Sequence, residues 1–383
     1  MTKTATSRFQ PGFLATSTMV LLLAALGLGA ALSDRGSPAA PAAPAAPAAP
    51  ATPAAPATQE VHRLDGPRVA IYNLAGEVQV VRGNGPQVVV EVSRGGADAS
   101  RLSIETGRIG DGEALRVLYP DDRVVYSRGG RSSNTTIRVR RDGTFFGGRG
   151  GGDQVRISGR GGGLEAHADL TVRVPRGVEV AVNLGVGKGH VRDLEAGVTF
   201  RTGAGAVDVA DVVGRVGVDT GSGAVTLSNV TGDVSVDTGS GSVALEGLTG
   251  SRVNVDTGSG RIQGRGLAAE ELVVDTGSGR IDLRDVSAAR ISCDTGSGSV
   301  RLELAEDVDQ LLVDTGSGLV EVGVPARFGA ALDLSSGSGR VSVDVPDLEA
   351  VVSKRLHFRG SVGDGEGRVV IETGSGGITL RRS

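Results

Sequence analysis

Asp219-Thr220-Gly221-Ser222-Gly223 decides the fold, because the same five residues return at Asp237, Asp256, Asp275, Asp294 and Asp314. Successive copies are 18, 19, 19, 19 and 20 residues apart. A fixed period of that length marks a repeat architecture in which each unit buries its apolar face only against its neighbours. Degenerate copies extend the array at Arg201-Thr202-Gly203-Ala204-Gly205, Ser335-Ser336-Gly337-Ser338-Gly339 and Glu372-Thr373-Gly374-Ser375-Gly376. Gly185-Val186-Gly187-Lys188-Gly189 lacks the spacing of a phosphate loop and fits as an earlier degenerate turn.

Within one period, apolar residues stand three and one before the Asp (Val216 and Val218 in the first copy) and six and eight after it (Val225 and Leu227). Alternation of this kind predicts two strands per repeat, each with one inward face. Gly-Ser-Gly supplies the corner between them, and a second corner carries an apolar residue at Val230, Leu248, Leu267 and Val286. The predicted fold is an all-β parallel β-solenoid with two main sheets and about 18–20 residues per coil. About ten coils at ~4.8 Å give a rod on the order of 45–50 Å. A narrow aliphatic interior agrees with 62 Gly, 3% aromatic residues and no Trp.

Two features of the outward positions bear on function. Asp219, Asp237, Asp256, Asp275, Asp294 and Asp314 form a ladder, and each Asp is expected to accept hydrogen bonds from the N–H groups of its own turn. Four residues before each of the first five, Arg215, Asp233, Arg252, Glu271 and Arg290 alternate in sign. Asp282, Arg301 and Glu321 alternate again seven residues after the Asp. Opposite charges on neighbouring strands favour one register.

The remaining organisation is linear. Residues 1–12 are a short basic-flanked N-terminus, and 13–32 an uncharged apolar run long enough for a transmembrane signal anchor, with a cleaved signal peptide as the rival reading. Residues 33–60 are a Pro/Ala stalk with proline at every third position from Pro38 to Pro56. Residues 61–180 form an N-terminal β region, an irregular start to the solenoid. It contains an Arg/Gly-rich segment, 128–163, with eight Arg and twelve Gly, expected to be a mobile loop. Residues 181–383 carry the repeats, with a cap or insertion at 345–367, in which 347–358 fit a short helix placed before the last coil.

Several chemistries are disfavoured. Asp-Thr-Gly-Ser is also the text of aspartic proteases, but that mechanism needs one carboxylate dyad, and equivalent copies at one corner single out no pair. Four scattered His and one Cys give no metal-ligand spacing or disulfide framework, and the calcium-binding nonapeptide is missing. A net charge of −4 gives no pull toward nucleic acid. No catalytic residue, cofactor or metal is expected. Cys293, in a slot that is Val in neighbouring copies, is expected to be a buried core thiol.

The repeats Val-Asp-Thr-Gly-Ser-Gly-x-Val/Ile, the lead-in Leu170-Thr171-Val172-Arg173-Val174-Pro175 and the ending Val370 to Leu380 together resemble a bacterial family of unknown function named as candidate adhesins with β-strand repeats. The resemblance runs from roughly Val61 to Ser383. It implies an envelope or surface protein with no catalytic residues. The resulting expectation is a non-enzymatic, extracytoplasmic solenoid, tethered to the cytoplasmic membrane through 13–32. It would bind or scaffold an envelope polymer, an anionic lipid or a protein. The alternatives are an envelope-stress sensor or, remotely, a polysaccharide-acting or aspartic-type hydrolase.

Overall fold

The computed structural model describes residues 59–130, 133–146 and 151–383. The expected N-terminus, anchor and nearly all of the stalk (1–12, 13–32 and 33–58) lie outside them. Gln59 and Glu60, assigned to the stalk, already belong to the first strand, Gln59–Leu64. Among the described residues no helix is long and apolar enough to cross a membrane.

Strands dominate, in one 26-stranded sheet wound into coils and a separate three-stranded sheet. Each coil supplies one strand to a first face, as in Val216–Ser222, and one to a second, as in Val225–Thr231. Neighbouring coils pair in parallel and in register. Val218 faces Val236 and Leu227 faces Leu245. Inward rungs such as Val216, Val225, Val236, Leu248 and Ile281 are buried. Each buried Val or Leu contributes on the order of 1.5–3 kcal/mol relative to exposure.

Two size changes in the rungs are compensated locally. Phe200 replaces the usual Val, and Gly189 on the facing strand has no Cβ to collide with its ring. Gly264 stands between Leu245 and Leu283 of the neighbouring coils, and methyls of Leu267 and Leu283 lean to 2.8 Å from where its Cβ would stand. The second corner is set by backbone conformation. Asp193, Asp211, Asn229 and Asp285 all have φ between +52° and +56°, and Gly247 and Gly266 share the position. Asp, Asn and Gly are the residues that enter this left-handed region at least cost. Asn229 also donates its side-chain amide to Asp211 at 3.0 Å.

Stacking order departs from chain order at both ends. The strand His167–Val174 lies outside Val78–Arg82, pairing parallel to it on one edge and antiparallel to Val88–Gly95 on the other. At the other end the last segment of the chain is not the last coil. Gly367–Thr373 pairs with Gln310–Thr315 on one edge and with Ala330–Ser336 on the other. Ile378–Arg382 is likewise held between Val320–Val324 and Val341–Asp344. The Ser335 coil is therefore outermost, and the C-terminal coil is inserted beneath it.

Two expectations are corrected. The helix expected over 347–358 is a strand, Leu348–Ser353, leading into His357–Val362, which pairs antiparallel with Ala330–Ser336. An unpaired sheet edge was available, and pairing with it outweighed weak helical propensity. The Arg/Gly-rich segment is folded rather than a loop over its described part. Asn134–Val139 and Asp153–Ser158 form a hairpin that joins Arg123–Val125. Val124, Tyr126, Ile137, Phe145, Val155 and Ile157 bury a second small core against Leu74, Ala75 and Val186.

Candidate functional site

The motif corner and the face leading into it hold the residues singled out by sequence. Alternation sends Val218 inward, Asp219 outward and Thr220 inward. All six Asp stack in register, Asp219 on Asp237 and so on to Asp294 on Asp314. The ladder continues through Glu372 and ends at Ser335. Among the described residues none of these carboxylates forms an ion pair, so like charges stand about one strand spacing, ~4.8 Å, apart. Burial, then the neighbouring Asp237, holds the Asp219 carboxyl above its usual range, with Arg201 opposing. Burial followed by the charges of Asp294 and Asp256 does the same to Asp275. Burial and then Asp314 raise Asp294.

The expected turn role of the Asp is corrected. Among the described residues no turn N–H donates to these carboxylates. The threonine that follows does that work. Thr276, fully buried, accepts the N–H of Gly279 at 3.0 Å and donates to the carbonyl of Gly260 in the preceding coil at 3.1 Å. Thr257, Thr295, Thr315 and Thr373 repeat the pattern. In the outermost coil Ser336 takes the role, donating to Gly376 at 2.8 Å. The signal for it was present in the sequence: the Thr shares the inward parity of the Val two residues before it.

One motif also takes two corner geometries. In the first coils the backbone ladder runs through the corner. Gly205 donates to the Ser222 carbonyl at 2.9 Å, and Gly223 has φ of +151°. There the hydroxyls of Thr202, Thr220 and Thr238 are buried without a partner. From Thr257 onward the corner closes on the threonine instead.

The sign-alternating row is placed as expected along the same face, and it pairs only in part. Arg252 meets Glu271 at 2.8 Å and its backbone N–H reaches Asp233 at 3.2 Å. Glu271 faces Arg290 in register, and Arg215 and Asp233 directly precede the paired Val216 and Val234. In the other row Arg301 reaches Glu321 at 4.0 Å, while Asp282 pairs with Arg284 on its own strand. The arginine of each pair is exposed to solvent, so each pair contributes at most ~1 kcal/mol.

The folded Arg/Gly-rich flap explains why the first copies lack Asp. Ile137 and Thr135 approach the corner glycines Gly185 and Gly203, roofing the first two turns. In the ladder row beneath and beside it stand Tyr72, Asn183 and Arg201, in register with Asp219. Tyr72 packs edge-on against Phe145 at 5.6 Å, and Asn183 is buried. A carboxylate there would be desolvated, which burial penalises heavily. On the flap, Arg123, Arg138, Arg141, Arg156 and Arg160 are exposed, and among the described residues none forms an ion pair.

Among the described residues no three or more His, Cys, Asp or Glu side chains are placed to hold a metal ion. Cys293 is buried between Val274 and Val313, and burial pushes its thiol up to about 12.

The family model described as Toastrack DUF4097 matches residues 132–381. No curated protein matches the chain. Among solved structures, a candidate cell adhesion protein from Clostridium sporogenes is similar at 11% identity, with 85% of this chain and 100% of that one covered and a TM-score of 0.20.

Proposed function

The chain belongs to the Toastrack DUF4097 family, and from that premise we propose that it is a non-enzymatic binding or scaffolding module of the cell envelope, tethered to the cytoplasmic membrane through residues 13–32 and held away from it by the Pro/Ala stalk. One observation carries the binding reading: seven carboxylates, Asp219 to Asp314 with Glu372, stand in register along an exposed face and form no ion pair among the described residues. Burial first, then the like-charged neighbours, raise the Asp219, Asp275 and Asp294 carboxyls, which disfavours the ionised row. A cost retained in coil after coil is consistent with a face kept for an external cationic or hydrogen-bonding partner. The unpaired arginines of the flap would suit an anionic lipid or envelope polymer.

Location and binding are tested separately. Protease added to intact spheroplasts should digest everything after Pro56, and full protection would refute the tether. The purified protein should co-sediment with isolated envelope fragments, and a variant with all six ladder Asp changed to Asn should lose that association. Equal sedimentation of both proteins would remove the ladder from the binding face.

A further inference from the structure

We propose that residues 367–383 form an exchangeable coil, which the body accepts from its own chain or from a second copy of the chain, so that reciprocal exchange joins two copies at their C-terminal ends. The inserted position carries the argument. Gly367–Thr373 and Ile378–Arg382 are the last strands of the chain, yet each is paired along both edges. The coil above them, Ala330–Ser336 with Val341–Asp344, meets the array through them.

The slot is pre-registered. Val313 and Leu334 both face Ile371, Thr315 and Ser336 both face Thr373, and Val322 and Val343 both face Leu380. Its two walls therefore match each other as well as the segment between them. That segment is also a complete repeat. It brings its own buried threonine, Thr373, whose hydroxyl accepts from Gly376 and donates to Gly318, and it offers the Gly376 carbonyl to Ser336. Close stacking makes it selective. A Cβ on Gly374 or Gly376 would collide with the carbonyl oxygens of Gly316 and Gly318.

The link to the body is a short turn, in which Gly365 donates to the Val362 carbonyl at 3.2 Å and Glu366 to the Asp364 carboxylate at 3.1 Å. Gly363, Asp364, Gly365 and Glu366 join Val362 to Gly367, and Gly363 and Gly365 take φ of +60° and +74°. Extending such a turn releases the terminal segment together with the hold on the Ser335 coil, and leaves the coils up to Val324 paired. A terminal element on a short glycine hinge is the usual substrate of domain swapping, and adding a strand to open sheet edges is a general mode of recognition.

The test uses the full chain with a specific protease site in the hinge, cut after folding. A fluorescent peptide of residues 367–383 should be taken up to about one per chain, with release of the resident segment, under conditions where circular dichroism shows the coils intact. The same peptide with Gly374→Val and Gly376→Val should not be taken up. An intact chain lacking Gly363 to Glu366 should run as a dimer, because Val362 and Gly367 flank Ala330 about two strand spacings (~9.6 Å) apart and one peptide step spans ~3.8 Å. Absent uptake, equal uptake of both peptides, a hinge-shortened chain that stays monomeric, or a cut chain that loses all its coils would each overturn the proposal.

Discussion

Replacing Thr276 by Val tests whether the threonine holds the corner. The two side chains have the same shape, so packing is unchanged and only the hydroxyl is lost. That hydroxyl accepts from Gly279 at 3.0 Å and donates to Gly260 at 3.1 Å, and Thr276 is fully buried. Losing two hydrogen bonds at ~0.5–1.5 kcal/mol each, with an orphaned buried donor left behind, predicts a loss of about 2–4 kcal/mol. Thr220→Val makes the same chemical change where the buried hydroxyl has no partner. That change should be neutral or stabilise by up to ~1 kcal/mol. Urea unfolding at equal slope reports both, and amide exchange at Gly279 should accelerate only in the first variant. Equal losses in the two proteins would refute the assignment of corner closure to the hydroxyl.

Asp275→Asn should stabilise the protein at pH 7 by roughly 0.2–1 kcal/mol after solvent screening. Its carboxyl is raised by burial and by Asp294 and Asp256, so the ionised form is penalised above that raised pKa. The advantage should vanish as pH falls through it, and thermal melts at pH 7 and pH 3 measure the difference. Cys293→Val should be close to neutral, and a polar thiol reagent should label the native protein only as fast as it unfolds. Asn229→Val forces a β-branched residue into φ of +53° and should cost about 1–2 kcal/mol, whereas Asp285→Gly should be tolerated, as judged by denaturant midpoints. His167 is held below its usual pKa by burial and then by Arg128, against Asp169, Glu77 and Glu165. Its contribution is present above the ordinary histidine pKa and is lost as pH falls from there toward the depressed value. Limited proteolysis of the flap should therefore quicken between pH 7 and pH 5 and slow again in His167→Gln.

The periodic part of the fold was legible because inward and outward positions alternate without interruption. Asp-Thr-Gly-Ser-Gly fixes both a corner and a register, and the Val rows on either side fix two faces. The roles within the motif were harder to read. Asp and Thr are both turn formers, so residue type alone does not assign the turn role, although strand parity places Thr220 to Thr315 inward with the Val rows and burial bears that out. It follows that, among the described residues, Asp256→Val leaves no turn donor unpaired, contrary to the expectation from the turn chemistry of Asp. The left-handed corner was visible as Asp, Asn or Gly immediately before Val212, Val230, Leu248, Leu267 and Val286, once the apolar residue was aligned. Low complexity concealed the flap, because its few apolar residues, Ile137, Phe145, Val155 and Ile157, are scattered among arginines and glycines and find their partners on the solenoid. Non-local insertion of the C-terminal coil leaves no local trace. Glu372-Thr373-Gly374 looks like a final repeat, and nothing in its neighbours announces that it stacks on Asp314.

Synthesis runs from the N-terminus, so the array can grow on the ribosome one turn at a time as far as Val324. The Ser335 coil, once emerged, has no settled seat until residues 367–383 have followed it out of the exit tunnel. Closure of this end thus waits on a segment made after the coil that it seats. A chain interrupted before Gly367 leaves the Ser335 turn without the strands that join it to the array, and so bares two sheet edges at once.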